Sequence, residues 1–341
     1  MLILFGDFII KMETEMEELI FSLEAVLPIV LLVALGYFLR RVGILGEAVG
    51  RSINKLVFRA FLPVTLFLNV YKIESFEGFE FGYILYSVGM TLFFFLASIP
   101  LVRALIKEDE RRGVTAQAVF RSNYAFVGIP LSGALAGEAG VIAATLLSAV
   151  IIPLYNILAV IILTAHGKAK GGGAKRIILG IIKNPLIISI FAGLFALLIR
   201  HLFVISGIGF RLSSITPLYG VLKDISSIST PLALIVLGAQ FEFSSLKGYA
   251  RPILLGVTLR SLAVPLIALP LAYLMGCFDA AHFAAFIAVF VSPVATSTVP
   301  MTQELGGDEK LAGQFVVFTT IISGITVFLS SYFLKMLGVF G

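Results

Sequence analysis

Two apolar stretches of this 341-residue chain contain prolines in the company of polar side chains. Asn123 precedes Pro130 in the first stretch, and Thr296 and Ser297 precede Pro300 in the second. An asparagine amide can donate hydrogen bonds to a carboxylate, and hydroxyl groups add further donors. Helix N-termini also carry partial positive charge. These residue types predict a site for an anionic group between two interrupted helices.

Proline interrupts a helix because it lacks an amide hydrogen and clashes with the carbonyl four residues back. Pro293, ahead of Pro300 in the second stretch, is therefore expected to free the carbonyl of Val289. In hydrocarbon a freed carbonyl costs several kcal/mol unless another group satisfies it. We expect the two interrupted segments to cross near the membrane midplane and to share water, side chains or substrate there.

Further polar residues lie in neighbouring apolar spans. Arg260 sits about ten residues into its span, where an arginine is costly and by default functional. It could hold a carboxylate bidentately, or it could neutralise the partial negative ends of the half-helices. The predicted substrate-binding residues are Asn123, Gly128, Pro130, Tyr155, Asn156, Arg260, Pro293, Thr296, Ser297, Pro300 and Gln314.

The composition is that of a membrane protein. The chain is 59% hydrophobic and 13% charged, and the charged share is about half of the usual ~25%. The excess apolar surface fits helices that face lipid. One cysteine excludes an internal disulfide and a cysteine-based metal cluster, and three scattered histidines do not suggest a metal site. We therefore expect no metal and no cofactor.

Ten apolar spans are predicted. They must be helical, because lipid offers no hydrogen bonds to open strands and the runs do not alternate as barrel strands do. The spans cover residues 19–39, 52–71, 81–105, 115–137, 140–165, 177–200, 216–240, 251–276, 281–304 and 311–336.

The basic residues predict the orientation. Eighteen of the 25 lysines and arginines, with Arg121 counted among them, fall in or beside loops on one side. The five on the other side are Lys11, Lys72, Arg200, Arg211 and Lys335. The positive-inside rule then places both termini outside the cell. Because these charges sit between apolar spans, the net charge of +5 does not indicate nucleic acid.

The two halves of the chain repeat each other. Pro130 and Gly137 recur as Pro300 and Gly307 at an offset of 170 residues. Further pairs recur at 168 residues (Lys55 and Pro63 with Lys223 and Pro231) and at 157 residues (Pro28 and Gly36 with Pro185 and Gly193). Because each half contains five spans, an odd number, homologous halves must be inverted in the membrane.

The domain boundaries follow from this division. A glycine-rich stretch separates the halves and reads as a flexible linker. We predict an N-terminal tail at 1–18, a first five-helix repeat at 19–165, a cytoplasmic linker at 166–176 and a second five-helix repeat at 177–341.

Several of these motifs resemble the auxin efflux carrier family over residues 19–337. They are Ser122–Leu131, Ile152–Asn156, Pro231–Gly238 and Gly306–Asp308. The chain lacks the long central loop of the plant hormone carriers, so it is similar to the compact prokaryotic members, permeases for small organic acids such as malonate or malate. The resemblance implies ten helices in two inverted repeats, with helices 4 and 9 broken where they cross. It also implies a substrate-contacting asparagine on the fourth helix, which is Asn123 here.

The leading hypothesis is a secondary transporter in the cell membrane for a small organic anion. A sodium-coupled symporter of the bile-acid type and an anion channel remain alternatives, and a proton or sodium ion could be the coupling partner. No enzyme is expected, because the metalloprotease motif and an acidic cluster for metal-dependent prenyl chemistry are absent. The chain also has no Walker motif, so we do not expect it to be driven by ATP. The expected partners are the substrate and the lipid bilayer, with a homodimer left open.

Overall fold

Helices form all of the regular secondary structure in the residues that the structure describes. The computed structural model describes residues 27–28, 30–72, 80–167, 179, 182–240 and 246–340. Within these ranges the single β interaction is an isolated antiparallel bridge between Ser122 and Val294. The predicted tail at 1–18, most of the predicted linker and the beginnings of the first and sixth predicted spans lie outside the described residues.

The helices follow one another along the chain with short connections. Helix α1 covers residues 30–41. The others are α2 (Glu47–Tyr71), α3 (Phe81–Leu105), α4 (Asp109–Phe120), α5 (Ile129–His166), α6 (Pro185–Ile205), α7 (Thr216–Gln240), α8 (Gly248–Met275), α9 (Ala280–Phe290), α10 (Thr298–Glu304) and α11 (Glu309–Met336).

Seven of these helices are long and apolar enough to cross a membrane: α2, α3, α5, α6, α7, α8 and α11. This confirms the prediction of an all-helical, multi-pass membrane protein. The fourth and ninth predicted spans are missing from the seven because each is divided into shorter pieces. Helix α5 has 38 residues and would be about 57 Å long if straight, well beyond a hydrocarbon core of about 30 Å. It is interrupted at Ala136 and Gly137, where Gly137 has a φ of 58°.

Close backbone contact joins α1 to α7. A Cβ atom on Gly36 would lie 1.8 Å from the carbonyl oxygen of Ile235, and one on Gly238 would lie 1.9 Å from that of Val33. Helices α6 and α2 approach in a similar way, with Gly193 facing the carbonyl oxygen of Phe67 at 3.0 Å. Small residues allow membrane helices to pack this closely. The four helices α1, α2, α6 and α7 thus form one packed group.

The other helices surround α9. Residues 282–290 of α9 are all buried, and the helix packs mainly against α5. A helix that is apolar on every side belongs in the interior. The contact is close because Gly128 and Ser132 face α9: a Cβ on Gly128 would lie 2.8 Å from the Cβ of Ala288. The Ser132 hydroxyl donates to the carbonyl of Ala284 at 3.0 Å.

The contact between α1 and α7 predicts a stability difference between two glycines of α7. Gly238→Ala is expected to destabilise the protein by about 1–3 kcal/mol, because the added methyl group cannot fit without moving a backbone. Gly220→Ala is the matched control, since a Cβ there meets no atom within 4 Å. Thermal unfolding of both purified variants in detergent measures the difference. Equal midpoints for the two variants would contradict the close packing.

Candidate functional site

The first interruption of the helices lies at residues 121–123. Helix α4 ends at Phe120, and Arg121 has the extended φ and ψ angles of −99° and 114°. A π-helical turn, Tyr124–Gly128, then leads into α5. The predicted break at Pro130 is therefore wrong by seven residues. Pro130 directly follows this π-helical turn, whose last hydrogen bond joins the Ile129 N–H to the Tyr124 carbonyl, so it lies within continuous helix and not in the break.

The second interruption separates α9 from α10. Helix α9 ends at Phe290 and α10 begins at Thr298. Pro293 lies inside this break, as predicted. Pro300 does not mark a break, because it lies in the first turn of α10. N–H groups in the first turn of a helix have no carbonyl partner within that helix, so the missing N–H of Pro300 costs no hydrogen bond.

The two interruptions pair with each other through their backbones. The Asn123 N–H donates to the carbonyl oxygen of Pro293 at 2.7 Å, beside the antiparallel bridge between Ser122 and Val294. Residues 123 and 293 are 170 positions apart, the offset at which the two stretches repeat. Each break thus provides hydrogen-bond partners for the other in a place where lipid could provide none.

Arg260 satisfies the carbonyls that the breaks leave open. Its guanidinium donates to the Ser292 carbonyl at 2.6 and 3.0 Å, to the Val289 carbonyl at 2.9 Å and to the Val119 carbonyl at 3.3 Å. Val289 is the residue whose carbonyl Pro293 was expected to free, and the Tyr155 hydroxyl also donates to it, at 3.3 Å.

The position of Arg260 therefore matches the second of its two predicted roles. Val119 and Val289 lie at the C-terminal ends of α4 and α9, which carry partial negative charge. The side chain is 1% exposed and does not line the pocket beside the crossing. A direct contact between Arg260 and substrate stays a prediction.

A small pocket lies beside the crossing. It has a volume of about 70 Å³, and we call it the crossing pocket. It brings together five of the predicted residues: Asn123, Tyr155, Asn156, Thr296 and Ser297. The remaining lining residues are Leu62, Thr65, Leu66, Asn69, Arg121, Ser122, Tyr124, Ala125, Ile152, Thr230 and Ala295.

Arg121 is the charged lining residue that the sequence analysis missed. Its guanidinium donates to the Asn156 side-chain oxygen at 2.8 Å, to the Ser297 hydroxyl at 2.7 Å and to the Met301 sulfur at 2.7 Å. The side chain is 3% exposed. Counting Arg121 as a loop residue was wrong. It lies within the span predicted at 115–137, and the rule that singled out Arg260 as an intramembrane arginine applied equally to it.

Asn123 places an unused donor at the same pocket. Its side-chain nitrogen is buried and has no hydrogen-bond partner among the described residues. An unsatisfied buried donor costs about 1–3 kcal/mol. The amide is therefore suited to a partner that enters the pocket. Across the pocket, the Ser122 hydroxyl donates to the Tyr155 hydroxyl at 3.3 Å.

The other predicted residues lie away from the pocket lining. Gly128 serves the packing of α5 on α9, while Pro130, Pro293 and Pro300 shape the backbone around the breaks. Gln314 is buried on α11, and its side-chain oxygen has no partner in the described part of the chain. Its role in binding stays a prediction.

A larger cavity of about 840 Å³ adjoins the crossing pocket, and we call it the vestibule. Both spaces are lined by Thr65, Asn69, Ala125 and Ile152, so the two are direct neighbours separated by these side chains. The vestibule reaches Tyr71 and Lys72, at the C-terminal end of α2.

Polar contacts join α2 to α10 toward the other end of α2. The Asn54 amide donates to the Gln303 side-chain oxygen at 2.8 Å, and the Gln303 amide donates to the carbonyl of Arg51 at 3.1 Å. Arg59 forms an ion pair with Glu304 at 3.1 Å. We call these contacts between α2 and α10 the closing contacts.

The Gly306–Asp308 motif holds the start of α11 near the closing contacts. The Asp308 carboxylate accepts hydrogen bonds from the N–H of Leu311 at 3.1 Å and from the Arg111 guanidinium at 3.1 Å. The Tyr249 hydroxyl donates to it at 3.3 Å. The motif thus ties the N-termini of α4 and α11 together, and no part of it lines the crossing pocket.

Comparison with known proteins agrees with a transport role. Over 308 residues the chain is 24% identical to an uncharacterized transporter of Methanothermobacter thermautotrophicus, covering 90% of this chain and 96% of the relative. It is 27% identical over 231 residues to an uncharacterized transporter of Methanocaldococcus jannaschii, covering 66% and 70%. The family described as membrane transport protein matches residues 21–330. The chain belongs to this family of membrane transporters, the auxin efflux carrier family.

Proposed function

We propose that this protein is a secondary active transporter that carries a small organic anion, a mono- or dicarboxylate, across the cell membrane by alternating access. The observation that carries the proposal is the buried Arg121 guanidinium in the crossing pocket. Its three hydrogen-bond partners, Asn156, Ser297 and Met301, are all neutral. No aspartate or glutamate is among the described residues that line the pocket.

A buried charge without a counter-ion is costly. An entering carboxylate would remove that cost by pairing with the guanidinium, which fits carboxylate geometry better than any other side chain does. The unused Asn123 amide would supply another donor to the same anion. Tyr155, Asn156, Thr296 and Ser297 would complete the ring of polar contacts.

The size of the crossing pocket favours a small substrate. A cavity needs about 10–15 Å³ to hold one water molecule, so the 70 Å³ of the crossing pocket corresponds to roughly five waters. A short mono- or dicarboxylate has this size, whereas a bile acid is several times larger. The volume of the crossing pocket therefore argues against a substrate as large as a bile acid.

The charge of the pocket argues against a binding site for cations. Among its described lining residues there is an arginine and no aspartate or glutamate. The described residues also contain no group of three or more histidine, cysteine, aspartate and glutamate side chains placed to hold a metal. A coupling ion, whether proton or sodium, would have to bind outside this pocket.

Two glycine contacts support the ten-helix, inverted-repeat architecture. Gly36 faces the Ile235 carbonyl, and Gly193 faces the Phe67 carbonyl. The glycines are 157 residues apart and the carbonyls 168, the two offsets at which prolines in the same helices repeat. Both contacts join the two halves, and the α6–α2 contact reproduces the α1–α7 contact with the halves exchanged. Pairing of the two breaks at the 170-residue offset supports the same architecture, with α4 and α9 as the first parts of the crossing helices.

The surroundings of the two ends of α2 support the proposal of alternating access. This helix has 25 residues and is about 37 Å long. The vestibule lies at its C-terminal end and the closing contacts lie toward its N-terminal end. Movement of α1, α2, α6 and α7 relative to the crossing helices would close the vestibule and separate α2 from α10. With both termini outside the cell, the vestibule faces outward in this conformation.

Saturable uptake would test the transporter class directly. Proteoliposomes containing the purified protein are expected to take up radiolabelled malonate, malate or benzoate with saturation kinetics. A non-saturating current with single-channel steps would instead support the anion-channel alternative.

Removing the buried charge tests the site. Arg121→Gln keeps hydrogen-bonding ability but loses the charge. Because charge-assisted hydrogen bonds contribute about 1.5–3 kcal/mol, it is expected to weaken anion binding by roughly 10- to 100-fold. Thermal-shift titration with malonate, malate and benzoate measures the change. Lys335→Gln, far from the pocket, is the control for the overall loss of one positive charge. An unchanged ligand-induced shift in Arg121→Gln would refute the site.

Asn123→Asp introduces a side chain of nearly the same size that adds a negative charge to the pocket that Arg121 lines. The aspartate would pair with the guanidinium and compete with an anionic substrate. We expect the ligand-induced thermal shift to disappear while the protein without ligand remains at least as stable. If the substrate still stabilised this variant fully, Asn123 and Arg121 would not share one anion site.

Weakening the closing contacts is expected to move the protein toward the opposite conformation. In a Cys277→Ser background, Asn69→Cys places a thiol that lines both the vestibule and the crossing pocket. Adding Gln303→Ala and Arg59→Gln should slow labelling of this thiol by an impermeant maleimide several-fold. Glu47→Gln is the matched control, because Glu47 pairs with Arg51 within α2. Equal labelling rates in all variants would show that the closing contacts do not set the conformation.

A further inference from the structure

Three basic residues line the vestibule: Lys72, Arg200 and Arg211. Hydroxyl groups of Ser213 and Tyr219 lie in the same wall, and no aspartate or glutamate is among the described residues that line it. The charged residues in the described lining are therefore all positive. A cleft with charge of one sign and low-dielectric walls concentrates ions of the opposite sign.

Tyr71 fixes the arrangement of this positive wall. The Arg200 guanidinium donates to the Tyr71 carbonyl at 2.7 Å and lies over the Tyr71 ring, 5.1 Å from its centroid. The Tyr71 hydroxyl accepts a hydrogen bond from the N–H of Leu212 at 2.7 Å. Tyr71, at the end of α2, thus holds both the Arg200 side chain and the turn that follows Arg211, and so fixes part of the cationic wall.

The distribution of basic residues in the sequence makes this cluster more significant. Membrane insertion disfavours lysine and arginine on the outer side, and the chain has five by the count above. Three of those five line the vestibule. Because the positive-inside rule disfavours basic residues on this face, we take their clustering in one cavity as a sign that they bind an anionic ligand there.

We propose that the vestibule contains a second, outer binding site for the carboxylate group of the transported anion. Lys72, Arg200 and Arg211 hold the anion there with modest affinity before it passes Thr65 and Asn69 to reach Arg121. The inference rests on the proposed function, since it assumes an anionic cargo, and adds a separate site with its own residues. The outer site raises the local substrate concentration and the rate of binding, and salt weakens it over a Debye length of about 8 Å.

A reporter in the vestibule tests this site separately from the crossing pocket. Ser213→Cys in the Cys277→Ser background places a single fluorophore on the vestibule wall, and malonate, malate and benzoate are titrated at low and at physiological salt. The titration is repeated with Arg121→Gln, which disables the crossing pocket. In that background a millimolar, salt-sensitive fluorescence change is expected to remain for the anion that the protein binds.

Loss of charge from the vestibule should remove this remaining signal. Lys72→Gln combined with Arg211→Gln is expected to weaken the response at least fivefold in the Arg121→Gln background, and Arg200→Lys is expected to retain it. Lys335→Gln, on the same face but away from the vestibule lining, should change nothing. In uptake assays with Arg121 intact, the vestibule variants should raise KM several-fold at low salt and leave kcat unchanged.

The outcomes separate this inference from the proposed function. A response that disappears with Arg121→Gln alone, or that survives Lys72→Gln with Arg211→Gln, overturns the outer site and leaves the crossing pocket standing. Absence of any response or thermal shift with all three acids in the protein with Arg121 intact counts against both. Salt-independent uptake with an unchanged KM in the vestibule variants overturns the outer site alone.

Discussion

The hydrogen bond from the Asn123 N–H to the Pro293 carbonyl is the contact on which the rest of the site depends. Two helices are interrupted in the interior of a protein that is built to lie in lipid. An interrupted helix exposes N–H and carbonyl groups, and hydrocarbon cannot satisfy them. Neither break could exist alone at low cost. Each supplies partners to the other, so the two must form together and at one register, with residue 123 beside residue 293.

Two arginines lie close to the crossing, and the carbonyls that backbone pairing leaves without partners explain the first of them, Arg260. Among the residues that the structure describes, Arg260 donates only to backbone carbonyls, at the ends of α4 and α9. Within the same residues, Arg121 donates only to neutral side chains. The first arginine therefore stabilises the breaks themselves, whereas the second presents a positive charge to a space that a ligand can enter. The different partners of the two guanidinium groups are the reason for proposing a structural role for Arg260 and a binding role for Arg121.

Much of this arrangement could be predicted from the sequence, because composition indicates the membrane helices and residue spacing indicates where they are interrupted. The apolar spans follow from hydropathy, and the breaks follow from polar residues beside prolines. The location of the first break was missed because Pro130 marks a helix start as readily as an interruption, and only the backbone angles at Arg121 distinguish the two. Arg121 was assigned to a loop by the charge count, although its place within an apolar span indicated otherwise.

Other features depend on contacts between distant segments, which spacing along the chain does not encode. The vestibule is formed by the end of α2, the end of α6, the turn before α7 and the middle of α5. The closing contacts join Asn54 and Arg59 to residues about 250 positions away. A pattern of residue types can indicate that such segments are polar, but it cannot indicate which of them meet.

The two cavities and the closing contacts all involve α2, and this has a mechanical consequence. Thr65 and Asn69 line both the vestibule and the crossing pocket, while Asn54 and Arg59 hold the opposite side shut. A rigid helix cannot move toward the crossing at one end without changing its contacts at the other. Packing of α2 against α6 and of α1 against α7 through glycines makes these helices move together. In the proposed mechanism, a tilt of this group narrows the vestibule as the closing contacts separate, so that a substrate in the crossing pocket would meet one open side at a time.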